Sequence, residues 1–228
     1  MSKETLNMET LNKDTVTDAK IAPTVIYLVR HGEIDANVAG HWFGSTDQEL
    51  NLLGEHQAAQ LGSRYDESFS LVSAIYSSPL KRTLSTARGL SGDRLPVTMH
   101  AGLREYGIGD LEGLAFEVLA SEHDFFGKIH QDQNYAPQGG ESINQVRDRM
   151  LDALQALRQA HVGETIVVVS HGAAMAIVLS HLLHGSPYPF DNYHMSNTGV
   201  SELVWDETWD LRSFNQTHHL TAAAPPKV

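Results

Sequence analysis

Two short stretches, Thr24 to Val29 and Thr165 to Val169, are continuous runs of β-branched and aliphatic residues with no polar residue at every second position. Strands of this kind need apolar cover on both faces, which makes them central strands of a sheet sandwiched between helices. Both runs end in the same pair, as Val29-Arg30-His31-Gly32 and Val169-Ser170-His171-Gly172. In open α/β sheets ligands gather at the carboxyl ends of the strands, so the two imidazoles are expected to meet at one crevice. Helical periodicity follows at Leu52 to about Tyr65, Pro79 to about Leu90, Glu141 to about Ala160 and Ala173 to about Leu183. Shorter strands are expected at Ala74-Ile75-Tyr76 and Val97-Thr98-Met99, with a hairpin built from Val200 to Trp205 and Trp209 to Phe214. The expected fold class is therefore α/β, as three α/β/α layers around a mostly parallel mixed sheet.

The segment 1–22 is polar and locally repetitive, and 221–228 is rich in Ala and Pro, so both read as flexible tails around one domain spanning 23–220. No run of about 18 apolar residues offers a membrane span, and the first residues do not read as a secretory leader, so a soluble protein is expected. The absence of cysteine excludes a disulfide framework and a thiolate nucleophile and points to the cytoplasm. A formal net charge of -12, from 28 acidic against 16 basic residues, argues against nucleic acid or an anionic membrane as partner. It does not argue against a small anion, because distant carboxylates are screened beyond roughly 8 Å and a local pair of arginines dominates its own pocket. A homodimer is left open.

Histidine alone is weak evidence, because the chain has 13 of them. His184-Gly185 is an internal control: it ends a helical run and precedes Ser186-Pro187, which is helix-stop punctuation. The strand-terminal pairs are different in kind, and a third segment is expected to join them. In Ser77-Ser78-Pro79-Leu80-Lys81-Arg82, Ser78 suits an N-cap and Pro79 the first helical position, which puts Arg82 in a first turn at a strand end. There its charge opposes the helix dipole unless an anion is bound. Arg30, Arg82 and His171 around one point can hold the oxygens of a phosphoryl group, with N–H donors from the helix that starts near Gly172. His31 then becomes the nucleophile. Gly107 to Gly113 has the wrong glycine spacing for a dinucleotide loop, and no His-Glu-x-x-His or similar zinc spacing occurs. No metal or other cofactor is expected.

The ordered set resembles the histidine phosphatase superfamily, which includes cofactor-dependent phosphoglycerate mutases and broad-specificity phosphatases. The resemblance runs from Arg30-His31-Gly32-Glu33 and Asn37 through Gly44, Asp47, Leu50, Gly54, Gln57 and Ala58. It continues through Ser78-Pro79-Leu80-Lys81-Arg82, Thr86-Ala87, Leu103, Glu105, Gly109, Glu112-Gly113 and Gly140-Glu141-Ser142, and closes on Ser170-His171-Gly172 and Asn197. It implies a phosphoglycerate mutase-like fold, a phosphohistidine on His31, a phosphate pocket of Arg30, Arg82 and His171, and a contact from Asn37. It also implies that Glu105 protonates the leaving alkoxide and later activates water. Glu105 must then carry a proton in the first step, and burial near the second histidine is expected to favour this. Glu33 and Glu112 read as structural.

A mutase must grip a second anionic group. The mutase pattern has Arg-His after the acid, whereas here Tyr106-Gly107-Ile108 follows Glu105, and Leu111 to Gln145 offers only Lys128. Hydrolysis of a small phosphorylated metabolite is the expected reaction. A phosphoglycerate mutase and a catalytically silent phospho-ligand binder are the alternatives. Phe43 and Gly44, beside Trp42, are the candidate substrate contacts, with Phe43 either stacking on the leaving group or serving packing, and Phe116 to Tyr135 is expected to form a substrate-selecting cap.

Overall fold

The computed structural model describes residues 22–220, and the expected tails lie outside the described residues except for Ala22. In chain order the strands are β1 (Thr24–Arg30), β2 (Val72–Ser77), β3 (Val97–Met99), β4 (Thr165–Ser170), β5 (Val200–Asp206) and β6 (Thr208–Gln216). The helices are α1 (Asp35–Ala39), α2 (Leu52–Ser63), α3 (Tyr65–Ser68), α4 (Lys81–Ser91), α5 (Phe116–Ser121), α6 (Phe125–Gln131), α7 (Ile143–Ala160) and α8 (Gly172–His184). Short 3-10 turns lie at Ala101–Leu103, Gly109–Leu111 and Phe190–Tyr193.

The sheet order is β3-β2-β4-β1-β5-β6. The first four strands are parallel, and the β5–β6 hairpin adds antiparallel to β1. β4 explains why its run is continuous: Ile166 and Val168 point into the core beneath α7 and α8, while Val167 and Val169 point into the core shared with α2 and α4. All four are fully buried, and each such side chain contributes roughly 1.5–3 kcal/mol. Three layers result, with the sheet in the middle.

Register places the chemistry. Arg30 on β1 pairs with Ser170 on β4, and Ser77 on β2 pairs with Val169, so His31, His171 and Ser78 all leave the sheet at one edge. Helix punctuation follows the sequence at α7, where Ser142 and Gln145 form a reciprocal capping box, and at the end of α8, where Gly185 adopts φ 71°. It departs at α4, which begins at Lys81 with Leu80 as the flanking residue rather than at Pro79 after Ser78. The physical reason is that Ser78 is engaged elsewhere, while Asp47 from a distant loop accepts the Lys81 N–H at 2.7 Å in the role of a cap. The segment expected to end near Tyr65 also breaks at Arg64 into α2 and α3. No helix among the described residues is long and apolar enough to cross a membrane.

Candidate active site

The rings of His31 and His171 stand edge to face with centroids 5.3 Å apart. His31 is 4% exposed, and its Nδ1 lies 2.7 Å from the carbonyl of Gly32. A carbonyl can only accept, so Nδ1 carries the proton and Nε2 keeps an unshared pair. Burial, followed by the charges of Arg30 and Arg82, holds this imidazole well below its ordinary pKa, so it is neutral at pH 7. His171 has the opposite tautomer. Arg82 Nε donates to its Nδ1 at 3.2 Å, which leaves Nε2–H to donate to Ser78 Oγ at 2.8 Å. Burial and then Arg82 depress its pKa as well.

Arg82 is fully buried, and its remaining bonds go to backbone carbonyls at Thr46 (3.0 Å), Phe43 (3.3 Å) and Gly44 (2.9 Å). It is thus the peg on which the loop 43–46 hangs. Glu112 holds the same loop from the other side, accepting the N–H groups of Ser45 and Thr46 and the Thr46 hydroxyl. Burial works against the Glu112 charge, yet these bonds keep its pKa below the usual carboxylate value. Gly44 has to be glycine, since a Cβ there would run into the carbonyl of Tyr106.

Arg30 closes the other flank. Its Nη1 donates to the Met195 carbonyl at 2.6 Å, and its Nε is buried with no partner among the described residues. A Cβ at Gly172 would come within 3.3 Å of that Nε, so glycine here lets the guanidinium approach the start of α8. Glu105 sits at the same helix start. Its Oε1 accepts the N–H groups of Ala174 (2.8 Å) and Tyr106 (2.8 Å), and its Oε2 accepts only Ala173 N–H at 3.2 Å. The α8 N–H donors expected to serve a phosphate are thus partly taken by Glu105, which leaves Gly172 N–H at the cavity. Asn37 Oδ1 accepts from Ile34 N–H at 3.2 Å and from Asn197 Nδ2 at 3.1 Å, and Asn197 Nδ2 also reaches the His31 carbonyl at 3.0 Å.

These groups surround a cavity of about 310 Å³. Arg30, His31, Asn37, Phe43, Glu105 and Gly172 line it, while Arg82, His171 and Gly44 lie behind its wall. The cap segment contributes Phe116 and Phe126, as the sequence led us to expect, and Trp42 packs edge to face on Phe116 at 5.7 Å. Sequence reasoning missed contributors from three segments. Ser78, read as a helix cap, fixes the His171 tautomer. Arg149 on α7 binds the carbonyls of Gly102, Arg104 and Glu105 and pairs with Glu141 at 2.7 Å, which secures the loop carrying Glu105. Phe190, Asp191 and His194, from the loop after α8, line the cavity with no local sequence pattern to announce them. Among the described residues no group of three His, Asp or Glu side chains could hold a metal ion.

Residues 26–217 match the family model described as histidine phosphatase superfamily, branch 1. The metal-independent phosphoserine phosphatase of Arabidopsis thaliana is 32% identical over 205 residues, covering 87% of this chain and 84% of its own length. A Salmonella choleraesuis protein named as a probable phosphoglycerate mutase, GpmB, is 30% identical over 87% of this chain and 96% of its own. The solved phosphoserine phosphatase of Entamoeba histolytica, in complex with phosphoserine, superposes with a TM-score of 0.78 at 32% identity, covering 87% of this chain and 100% of its own. The chain belongs to the histidine phosphatase superfamily, branch 1, and is a phosphoric monoester hydrolase.

Proposed function

We propose that this hydrolysis of a small phosphomonoester, which needs no metal ion, runs through a phosphohistidine on His31. The observation that carries the reading is the tautomer: the Gly32 carbonyl holds the proton on Nδ1 and leaves Nε2 basic, beside an unpartnered Arg30 Nε. The Nε2 pair forms the N–P bond while the P–O bond to the leaving alcohol breaks. Arg30 and Gly172 N–H neutralise the charge spread over the non-bridging oxygens, with Arg82 adding a fixed positive field from behind and the neutral His171 supporting the phosphate pocket through its bond from the Arg82 guanidinium. Glu105 gives its proton to the departing alkoxide from Oε2, the oxygen with the fewer bonds, and so acts as general acid. In the second half Oε2 takes a proton from water, the water oxygen bonds to phosphorus, and the N–P electron pair returns to Nε2. Asn37, which lines the cavity, adds a contact to the phosphate, while Asn197, bonded to Asn37 Oδ1, holds the His31 carbonyl in place. Phe43 faces the leaving group, and Gly44 serves by letting its loop close on Arg82.

Hydrolysis is favoured over phosphate return to a second substrate because, among the described residues, the only Arg or Lys side chain lining the cavity is Arg30, which is taken up by the phosphate. The test is a rapid-quench experiment with 4-nitrophenyl phosphate in the presence of a chelator. The wild type should release phosphate and accumulate an acid-labile, base-stable phosphoprotein, and His31→Ala should do neither. Turnover surviving in His31→Ala, or turnover abolished by the chelator, would refute the mechanism.

A further inference from the structure

Beyond the groups assigned to the phosphate and to proton transfer, the cavity is lined by the rings of Trp42, Phe43, Phe116, Phe126 and Phe190 and by the exposed Asp191, the one lining carboxylate besides Glu105 among the described residues. Asp191 has no hydrogen-bond or ion-pair partner among the described residues. Its loop is nevertheless held: Tyr188 Oη donates to the Ile129 carbonyl of α6 at 2.6 Å, and the Tyr188 ring packs on Phe190 at 5.2 Å and on His130 at 5.0 Å. The unpaired carboxylate is therefore presented to the cavity by a loop fastened to the cap. Among the described residues no Arg or Lys other than Arg30 lines the cavity to answer a substrate carboxylate, and besides His31 its imidazoles are those of His41 and His194. His194, the neighbouring imidazole, has its pKa lowered by burial and by Arg30, which leaves it uncharged at neutral pH.

We propose that this pocket selects phosphate esters of alcohols that combine an apolar or aromatic body with an ammonium group, and that it discriminates against carboxylated alcohols, with Asp191 as the specificity-determining residue. The inference rests on the phosphatase reading above. Aromatic faces attract an ammonium through their quadrupoles and bury the hydrocarbon that carries it. Asp191 adds direct attraction for the cation and repels a carboxylate in the same place. A cavity of about 310 Å³ has room for one substituted ring or a branched chain of similar bulk. This sets the chain apart from its relatives named for phosphoserine, whose alcohol bears a carboxylate as well as an amine.

Three aryl esters with closely matched leaving groups test it: 4-(2-aminoethyl)phenyl phosphate, 4-ethylphenyl phosphate and 4-(2-carboxyethyl)phenyl phosphate. The ammonium ester should exceed the carboxylate ester in kcat/KM by about tenfold, with the ethyl ester between them, a spread suited to a charge on an exposed rim. Asp191→Asn should erase most of the ammonium-over-ethyl ratio, and Asp191→Lys should bring the carboxylate ester to the top. Equal turnover of the three esters, or an ammonium preference that survives Asp191→Asn, overturns the inference and leaves the phosphatase reading standing. Failure to turn over any of the three overturns both.

Discussion

Arg30 and Phe126 line the same cavity, but the structure holds them in place by different means. Around Arg30 the side chains are fixed by directional bonds between segments far apart in the chain: Arg82 to His171, His171 to Ser78, Arg149 to the loop bearing Glu105. Around Phe126 the walls are rings in edge contact, Trp42 against Phe116 at 5.7 Å and Phe125 against Phe126 at 5.3 Å, and Phe116 is still 45% exposed. Directional bonds set protonation states and attack geometry to within tenths of an ångström, whereas ring packing sets only volume and polarity. Changes at the phosphate end should therefore alter the chemical step, and changes at the cap should alter which ester enters.

The largest effect is expected at Glu105, where the two ends meet. Glu105→Gln removes the proton donor and keeps the shape. It should lower kcat on alkyl phosphates by about 10²–10⁴-fold, the usual contribution of a general acid. On 4-nitrophenyl phosphate the loss should be far smaller, since that phenolate leaves unaided. Equal losses on both esters would show that Glu105 acts through the α8 backbone and not on the leaving oxygen.

Ser78→Ala probes a directional bond that touches no substrate. It strands the His171 Nε2–H in a fully buried site, which costs about 1–3 kcal/mol. A lowered denaturant midpoint should accompany a fall in kcat with little change in KM. A variant as stable and active as the wild type would mean that the Arg82 bond alone sets the tautomer of His171.

Acid should act on the same end. Because His31 attacks as the neutral imidazole and its pKa lies well below 6.5, its protonation should lower kcat/KM for 4-nitrophenyl phosphate, which needs no proton from Glu105, tenfold per pH unit only below the depressed value. Stability moves in the same direction. Once unfolded, His31 and His171 bind protons as pH drops through about 6.5, while the folded imidazoles resist, so their contribution is complete above that pH and is lost progressively below it. An acid limb centred at 6.5 in the pH profile would contradict the buried, Arg-flanked setting of the nucleophile.

The contrast between the two ends also explains what the sequence reveals. The strands ending at Arg30 and Ser170 are legible because double-sided burial leaves a continuous apolar signature, and the histidines are legible because they directly follow those strands. The true start of α4 was hidden, since the residue acting as its cap, Asp47, comes from 34 positions upstream. Arg149 is equally silent: on a helix with many charges nothing local marks the one that binds three carbonyls in another loop. Phe190 and Asp191 belong to a turn whose local sequence encodes only a change of direction. Their place at the cavity arises from the docking of Tyr188 on α6, a tertiary contact with no period to read.

Phe126→Ala is the mildest test and the one aimed at the cap alone. The ring is partly buried against Phe125 and Trp42, so its removal widens the cavity without stranding a polar group. The wall loses part of its apolar contact with a bound ring, which at about 25 cal/mol per Å² over a few tens of Å² is on the order of 1 kcal/mol. For 4-ethylphenyl phosphate KM should therefore rise roughly fivefold, while kcat, and the turnover of a small alkyl ester too short to reach the cap, should hardly move. A fall in kcat equal to the rise in KM would mean that the cap does more than choose the substrate. Ring packing would then help to hold the ester in line with His31, and the division between the two ends would dissolve.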